Sequence, residues 1–441
     1  MKKIKINIHI ITFGCSLNYS DSEVMSGILK KHGFELVHGI EKADVIIVNS
    51  CTVKDTTEKN FWNLLKKLKQ SDKKVIIAGC IAQTEPSNSN KLDKYSLIGT
   101  TQINNIAEVV EETLIGNIIK CLERSKTNPR LNLPKIRKNP VVEIIPISQG
   151  CLGTCSYCKT KAARFDLVSY DKDAIVCQAK EAIKDGVKEI WLTSQDTAVY
   201  GFDIKDSLTL IGLLNDLIQL KGEFKIRIGM GNPNHLAKII DELIPIMKSD
   251  KVFKFLHIPV QSGNDDVLKN MNRKYNVSDF KNLIQKIRKE IPEFTISTDI
   301  IVGFPGETES QFLDSVNIIK EIKPAVLNIS RYSPRPNTIA ASLSQLHSRD
   351  IKERSRLMTH VFYDIAINQH KQWLGWEGEI IIDEFGKEGT YTMIGRNYAY
   401  KPVIVKISEL RKARLKHSLG IAVKVKITKT TRYDLRGEII Y

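Results

Sequence analysis

The chain has 441 residues, of which 42% are hydrophobic and 26% are charged, and its formal net charge is +16. This composition excludes a disordered protein, and the length suffices for two or three domains with sizeable cores. No apolar run approaches the ~18 residues that a membrane helix requires, so we expect no membrane insertion. Eight cysteines in a chain without an export signal indicate a reducing compartment, here the cytoplasm. The positive charge predicts an anionic partner.

The N-terminal part of the chain repeats one pattern three times: a short apolar run, a small residue and then a cysteine. The three copies end at Cys15, Cys51 and Cys80. Helical sequence separates the runs, so they are interpreted as buried parallel strands of an α/β sheet. Ligands of open parallel sheets bind beyond the carboxyl ends of the strands, which predicts that these thiols converge as metal ligands. A single cysteine of this kind is more often an inert buried residue, as we interpret Cys121 and Cys177.

A polar segment separates this region from the rest of the chain. Residues 124–140 hold three prolines and six basic residues without periodicity, as expected of a linker. The predicted organisation is an N-terminal domain, a linker, a central domain and a terminal domain, at 1–118, 119–140, 141–370 and 371–441.

Cys151, Cys155 and Cys158 form a Cys-x3-Cys-x2-Cys triplet. These spacings let one loop wrap a small iron–sulfur cubane, with each sulfur directed at a different iron. Filled clusters normally take four cysteines, so a triplet indicates one iron kept open for a substrate. Structural zinc fits less well, because zinc sites usually combine two Cys or His pairs and the nearest histidine, His235, is far along the chain. Three unrelated thiols are the other alternative.

Six strand-like runs follow the linker, most of them separated by helical patterns such as 172–185 and 206–220. The runs cover residues 141–147, 189–193, 225–230, 253–260, 294–302 and 325–330. Six β/α units predict a partial parallel barrel, in which the chemistry gathers in the loops after the strands. The triplet follows the first strand, and polar residues follow each of the other five. The sequence therefore predicts one site at the carboxyl ends of the barrel strands.

The terminal segment, from about residue 372, alternates apolar and polar residues, as in 421–427. This pattern predicts a small antiparallel barrel, a fold that often binds oligonucleotides. Residues 401–441 contain eleven Lys or Arg against three acids. A phosphate backbone is the expected partner, and a merely solvated basic face is the simpler alternative.

These features together resemble the methylthiotransferases, and Tyr157 before the last cysteine of the triplet is typical of radical S-adenosylmethionine (SAM) enzymes. The resemblance rests on the six cysteines, the motif at 298–308 and the basic terminal barrel, which resembles a TRAM domain. The segments 50–54, 158–164 and 257–262 resemble the archaeal and eukaryotic branch, which acts on N6-threonylcarbamoyladenosine next to the anticodon of tRNA. Asn337 departs from the pattern, since the family more often has glycine there, and we expect it only to stiffen a turn.

The resemblance implies an α/β fold of three parts: an open parallel sheet, a partial (β/α)6 radical SAM barrel and a TRAM-like barrel. It implies two 4Fe-4S clusters, with the triplet holding the cluster that binds SAM and Cys15, Cys51 and Cys80 holding a second. The reaction would insert a methylthio group at C2 of the modified adenine, with SAM as both radical source and methyl donor. An electron donor protein and the anticodon stem-loop of tRNA would be the partners.

Further site residues are expected alongside the resemblance, and the alternative for each of the SAM contacts is hydrogen bonding inside the barrel. The expected SAM contacts are Gln195, Asp196, Arg227, Gln261 and Asp299, with Arg227 on the carboxylate. The expected RNA contacts are Arg331 and Arg335, for a phosphate or the threonyl carboxylate, and Arg411, Lys412, Arg414 and Lys416, for the tRNA backbone.

Several alternatives share part of this pattern. A methylthiotransferase acting on another adenosine derivative, or on an aspartate of a ribosomal protein, would have both clusters, although a protein substrate gives less reason for so basic a terminal barrel. A radical SAM enzyme could use the second cluster only for electron transfer. A non-catalytic iron–sulfur RNA-binding protein would keep the clusters and the charge but would not need SAM.

Overall fold

The computed structural model describes residues 5–52, 55–85, 90–125, 130–204, 209–408 and 419–440. The N-terminal domain is a parallel sheet of six strands in the order β2-β1-β3-β4-β5-β6, with helices on both faces. Its strands are β1 (Asn7–Thr12), β2 (Glu35–Leu36), β3 (Val45–Ser50), β4 (Lys74–Gly79), β5 (Ser96–Ile98) and β6 (Lys120–Cys121). Its helices are α1 (Ser16–Lys31), α2 (Asp55–Leu68), α3 (Cys80–Thr84) and α4 (Ile106–Leu114).

The apolar runs of the sequence form the central strands, since β-branched residues suit a sheet that is buried on both faces. Every residue of β3 is buried. The last strand, β6, lies within the segment predicted to be a linker, so the sheet extends beyond residue 118.

Residues 134–138 of the predicted linker pack against α1. A Cβ on Gly27 would lie 2.2 Å from the backbone nitrogen of Lys135, so the two backbones are in direct contact there. The ammonium of Lys135 pairs with Glu23 and Glu143, and all three side chains are largely buried. Burial raises the pKa of Glu23, whereas the two cations beside Glu143, Lys135 and Arg137, outweigh its burial and lower its pKa. This segment is thus a packed strap between the first two domains.

The central domain is a partial barrel of six parallel strands in two groups of three, in the orders β7-β10-β11 and β12-β13-β14, joined by a single parallel bridge. These strands are β7 (Val142–Pro146), β10 (Glu189–Thr193), β11 (Lys225–Ile228), β12 (Phe255–His257), β13 (Thr295–Val302) and β14 (Val326–Arg331), and β8 (Ser148–Gln149) and β9 (Val168–Ser169) form a small hairpin-like pair. The helices are α5 (Thr160–Arg164), α6 (Lys172–Lys184), α7 (Leu210–Gln219), α8 (Pro233–Met247), α9 (Asp265–Asn270), α10 (Val277–Glu290), α11 (Glu309–Ile322) and α12 (Ser348–Lys371). The prediction of six β/α units is confirmed.

The terminal domain is a closed five-stranded barrel in the order β15-β16-β17-β19-β18. Its strands are β15 (Glu377–Phe385), β16 (Thr392–Arg396), β17 (Pro402–Lys406), β18 (Ala422–Thr430) and β19 (Leu435–Ile439). The pairs are antiparallel except β17 with β19. Along β18, Val423, Val425 and Ile427 are buried while Lys424 and Lys426 are exposed, as the alternation predicts.

The terminal barrel closes the floor of the central barrel. Tyr400, whose backbone is left-handed with φ 59°, packs against Phe253 and Phe255 with ring centroids 4.8 and 5.1 Å apart. Beside it, burial and the nearby Asp383 carboxylate raise the pKa of Glu189 well above its usual range. The contact between the central and terminal domains therefore contains both aromatic rings and buried carboxylates. It lies at the opposite end of the central barrel from the carboxyl ends of the strands. Within the described residues, no helix has both the length and the apolar character needed to cross a membrane.

Candidate metal centres and active site

Three cysteines lie at one edge of the N-terminal sheet. Cys15 follows β1, Cys51 follows β3 and Cys80 begins α3 directly after β4, and these three strands are neighbours in the sheet. The Gly14 backbone has φ +119°, and a Cβ there would lie 3.2 Å from the Cys51 sulfur. Because parallel strands end at the same edge, the fold brings together thiols that are distant in sequence. We call this set the cysteine edge.

Buried amides fix the ends of the strands at the cysteine edge. The Asn18 amide donates to the carbonyls of Phe13 and Ser50, both at 2.8 Å, and so ties the end of β1 to the end of β3. The Asn49 amide returns a bond to the Asn18 carbonyl, also at 2.8 Å. The Ser50 hydroxyl donates to the carbonyl of Ala78 on β4 at 2.6 Å. Fully buried polar groups of this kind hold one geometry because any other leaves them unpaired.

An arginine from the central domain reaches the cysteine edge. Arg164, the last residue of α5, is 1% exposed and donates to Asn18 and Asp21. Burial raises the pKa of the Cys80 thiol, while the positive charge of Arg164 opposes that effect and the nearby Cys15 adds to it. The three groups are therefore close enough to interact electrostatically.

The second cysteine set, the triplet of Cys151, Cys155 and Cys158, lies on the loop after β7 and β8 at the carboxyl ends of the barrel strands. A Cβ on Gly153 would lie 3.3 Å from the Cys151 sulfur and 3.7 Å from the Cys155 sulfur. A pocket of about 190 Å³ opens beside the loop, and the three cysteines line it together with Lys161 and the segment from Asn337 to Ile339. The triplet thus faces a cavity rather than the protein core.

Donors surround the sulfurs of the triplet. The Gly153 and Thr160 backbone N–H groups donate to Cys151 at 3.2 Å and to Cys158 at 3.4 Å, respectively. The Arg273 guanidinium donates to the Cys155 sulfur at 3.2 Å. Burial nevertheless raises the pKa of Cys151 to about 11 and raises that of Cys158 as well, so metal binding must displace protons from these thiols.

Arg273 is positioned by a chain of polar contacts. Its Nη2 donates to the Asn232 side-chain oxygen at 2.5 Å, and the Asn232 amide donates to Asp196 at 2.6 Å. His235 Nδ1 lies 2.7 Å from the same Asp196 oxygen. The other Asp196 oxygen accepts backbone N–H groups at Ala198 and Asn232. The predicted SAM contact Asp196 is therefore occupied in holding this chain, which ends on a sulfur of the triplet.

Of the other predicted SAM residues, Gln195 and Gln261 follow barrel strands β10 and β12, and Asp299 lies within β13. The Gln195 side-chain oxygen is buried and has no hydrogen-bond partner among the described residues. Gln261 has a left-handed backbone with φ 71°, bonds to the Asp299 carbonyl through its N–H and forms a parallel bridge with Ile300. Asp299 accepts from Asn328 at 2.8 Å and lies 2.8 Å from His257 Nε2.

Arg227 lies elsewhere. Its guanidinium stands 5.0 Å from the Trp191 ring, 5.3 Å from Phe255 and 5.2 Å from Tyr400 of the terminal domain. The structure therefore places it at the floor of the barrel, among aromatic rings, and does not bring it to the triplet with the other predicted SAM contacts.

The loop after β14 covers one side of the triplet pocket. Arg331 is exposed at the end of the strand, while Arg335 pairs with Glu58 of α2 at 2.5 Å. Asn337 takes a left-handed conformation, φ 64°, which explains why a glycine would suit this turn. The other predicted RNA contacts, Arg411, Lys412, Arg414 and Lys416, lie outside the described residues.

Both cysteine sets fit iron–sulfur clusters better than single metal ions. In a cubane each iron takes its own thiolate, so the sulfurs stand further apart than ligands of one zinc ion. N–H groups directed at sulfur also suit a cluster, whose potential depends on such hydrogen bonds.

Sequence reasoning missed Arg164, Arg273 and Asn232. Asn232 was within a strand-end loop, and the rule that such loops carry the chemistry could have marked it. Arg164 ends α5 and the segment 158–164 that resembles the family, but that resemblance assigned it no role. Arg273 follows the short helix α9, where no local pattern distinguishes it from a surface arginine.

Comparison with known proteins agrees with this architecture. Residues 7–99 match "Uncharacterized protein family UPF0004", residues 145–319 match the Radical SAM superfamily and residues 374–440 match the TRAM domain. A TM-score of 0.53 relates the chain to the radical SAM methyltransferase TsrM from Kitasatospora setae, at 10% identity over 77% of this chain and 74% of that one. That likeness concerns the fold alone.

Closer relatives cover nearly the whole sequence. The chain is 40% identical to the "Probable threonylcarbamoyladenosine tRNA methylthiotransferase" of Pyrococcus horikoshii, over 94% of this chain and 97% of that protein. It is 39% identical to the human "Threonylcarbamoyladenosine tRNA methylthiotransferase", over 98% of this chain and 73% of that protein. The Methanothermobacter thermautotrophicus relative is 36% identical over 94% and 98%. The chain therefore belongs to the threonylcarbamoyladenosine tRNA methylthiotransferase family.

Proposed function

We propose that this protein inserts a methylthio group at C2 of N6-threonylcarbamoyladenosine, next to the anticodon of tRNA. The observation that carries the proposal is the presence of two separate three-cysteine sites in one chain, joined by the short helix α5. An enzyme that both activates a carbon and delivers sulfur needs two such sites. The named activity of the 36–40% identical relatives supports the same substrate.

The triplet is the proposed site of the cluster that binds SAM, and the cysteine edge is the proposed site of the second 4Fe-4S cluster. If bound, the first cluster and SAM would supply radical chemistry, and the second cluster would supply sulfur. The chain's own part is to hold each cluster by three thiolates, to direct N–H donors at their sulfurs and to exclude water.

For SAM, we propose contacts from Gln195, Gln261 and Asp299. The buried unpartnered oxygen of Gln195 supports its role, because such an atom normally has a partner. Asp196 acts indirectly by holding Asn232 and Arg273. Arg273 is the arginine beside the triplet, and Arg227 would need to leave its aromatic contacts to reach SAM.

The terminal barrel is the proposed grip on the tRNA backbone, through Arg411, Lys412, Arg414, Lys416 and the exposed Lys424. Arg331 and Arg335 are proposed for the anticodon stem-loop or the threonyl carboxylate. We also propose that the enzyme requires an electron donor protein and that it is located in the cytoplasm.

The decisive test incubates anaerobically reconstituted protein with SAM, a reductant and tRNA carrying threonylcarbamoyladenosine. Mass spectrometry of the digested RNA should detect a methylthio nucleoside with the wild type and none with Cys158→Ala. SAM cleavage without that product would refute the assigned nucleoside.

The proposed binding of tRNA by the terminal barrel is tested separately, by the salt dependence of the affinity. Neutralising phosphates releases counterions, so affinity for tRNA should fall steeply as salt rises. Replacing Arg411, Lys412, Arg414 and Lys416 by alanine should flatten that dependence by about one unit of log–log slope for each lost contact. An unchanged slope would place the tRNA contact elsewhere.

A further inference from the structure

Arg164 is the largest side chain among the fully buried residues, and its position links the two cysteine sites. It ends α5, the helix that begins two residues after Cys158 of the triplet, yet its guanidinium lies at the cysteine edge. The Thr100 hydroxyl donates to the Ala163 carbonyl at 2.6 Å and fixes this helix on the N-terminal domain. A residue of the triplet loop is thereby delivered to the other site.

The Arg164 guanidinium bonds to its described partners through Nη2, one of its two terminal nitrogens. Nη2 donates to Asn18 Oδ1 at 2.7 Å and to Asp21 Oδ2 at 2.9 Å. Nη1 is buried and has no hydrogen-bond partner among the described residues. The Cys15 thiol lies 3.8 Å from the same Asn18 oxygen that accepts from Arg164, so the guanidinium and a sulfur of the cysteine edge share one hydrogen-bond partner.

Among the described residues, the ion pairs around Arg164 leave one positive charge without a counter-anion. Asp21 is shared with a second arginine, since Arg130 Nη1 lies 2.9 Å from Asp21 Oδ1. The side chains of Asp21, Arg130 and Arg164 are only 1–2% exposed, so two cations share one carboxylate in a place without solvent. An unpaired buried charge is costly, which means that this arrangement suits an anionic group on the open side of Arg164. Thiolates bound to a cluster are such a group.

We propose that Arg164 is a positioning residue of the second cluster, which donates an N–H to the sulfur of Cys80 or of the cluster and raises the cluster's reduction potential. The inference rests on the proposed occupancy of the cysteine edge. Its physical basis is that a hydrogen bond to sulfur and a nearby positive charge both stabilise the reduced, more negative cluster. Since Arg164 and Cys158 share one short segment, the same contact also fixes how the triplet loop sits against the cysteine edge.

Arg130 provides a matched control. It is about as buried as Arg164 and pairs with the same carboxylate, but among the described contacts it is Arg164 that bonds to Asn18, the residue whose oxygen also lies 3.8 Å from the Cys15 sulfur. A variant at either position disturbs the same ion pair and the same domain interface. Only the variant at Arg164 removes a donor from the sulfurs.

The test is an EPR-monitored redox titration of the full-length protein in a Cys151→Ala, Cys155→Ala, Cys158→Ala background, which holds only the second cluster. At a fixed potential, Arg164→Gln should decrease the ratio of reduced to oxidised cluster at least tenfold. For a one-electron couple, this corresponds to a reduction potential that is lower by ~59 mV. Arg130→Gln should change that ratio by less than about threefold. Equal shifts in both variants, or a shift in neither, would overturn the proposal.

A second pair of variants covers the case in which Arg164→Gln does not retain iron. Arg164→Lys and Arg130→Lys keep the charge but lose the planar guanidinium. The potential should then fall more in Arg164→Lys than in Arg130→Lys, and equal values would remove Arg164 from this role. No product formation enters the measurement, so a failure of the proposed reaction leaves the result interpretable.

Discussion

The triplet takes its three cysteines from a single loop, whereas the cysteine edge takes one from each of three strands. The triplet is supported by donors that approach its sulfurs directly, including two backbone N–H groups and Arg273. The cysteine edge is supported by a buried amide network that holds the strand ends. One site is therefore specified locally, and the other depends on strand order. A disturbance of packing should harm the cysteine edge first.

The largest difference is expected from two glycines, one at each site. A Cβ on Gly14 would lie 2.7 Å from Cys51 Cβ, and its φ of +119° strains any side chain. Gly14→Ala should cost about 1–3 kcal/mol of local strain and release the iron of the cysteine edge. A Cβ on Gly153 would meet the Cys151 and Cys155 sulfurs at 3.3 and 3.7 Å and its φ is not positive, so Gly153→Ala should retain both clusters. Iron content after anaerobic reconstitution measures both variants, and equal iron loss would contradict the comparison.

The next effect concerns the donor to the triplet. Arg273→Gln removes the guanidinium from Cys155 and from Asn232, so cluster retention or SAM cleavage should fall about 10- to 100-fold. Arg288→Gln is the control, because this arginine donates to the Ile322 carbonyl on the outer helices. Rates of 5′-deoxyadenosine formation would show the difference. A similar loss in both variants would indicate general destabilisation instead.

The third prediction concerns the ion pair between Arg335 and Glu58, which lies where the two regions are in contact. Glu58 lies on α2 of the N-terminal domain, and Arg335 lies on the loop beside the triplet pocket. If Arg335 binds substrate, Arg335→Ala should weaken turnover of modified tRNA about tenfold, the equivalent of one charge-assisted hydrogen bond. SAM cleavage without tRNA should change less. Glu58→Gln, which breaks the same ion pair but keeps the arginine, should not reproduce the loss, and equal losses in both assays would remove Arg335 from this role.

The smallest effect is a pattern of thiol reactivity in the protein stripped of iron. The thiolate is the nucleophile, so Cys151, with its pKa raised to about 11, should be alkylated slowly near neutral pH. Its rate should rise nearly tenfold for each pH unit up to that pKa, whereas an ordinary cysteine levels off above about pH 8.5. Exposed Cys15 should react fastest of the six ligands. Peptide mapping after iodoacetamide treatment measures these rates, and a flat profile for Cys151 would contradict its burial.

The sequence predicted the parts of the fold that depend on local pattern. The six barrel strands, the positions of Cys15, Cys51 and Cys80 after neighbouring strands and the alternation along β18 all follow from apolar periodicity. Domain docking follows no such pattern. Arg227 was expected at the carboxylate of SAM, but rings from both the central and the terminal domains surround it.

The sequence also did not predict which arginines lie in the interior of the protein. Arginine is rarely buried unless paired, so its default interpretation is a surface residue. Arg164 is buried because Asp21, far away in the sequence, supplies its counter-charge. Arg273 is partly buried because Asn232, Tyr275 and the triplet surround it. Such partners become visible only after the chain has folded.

The central claim is that the two cysteine sites hold separate clusters with separate tasks. The most direct test replaces Cys15, Cys51 and Cys80 together by alanine and follows three quantities after reconstitution: bound iron, 5′-deoxyadenosine and the methylthio nucleoside. We predict about half the iron of the wild type, continued SAM cleavage and no methylthio product. Methylthio product from this variant would contradict the account, as would the loss of all iron.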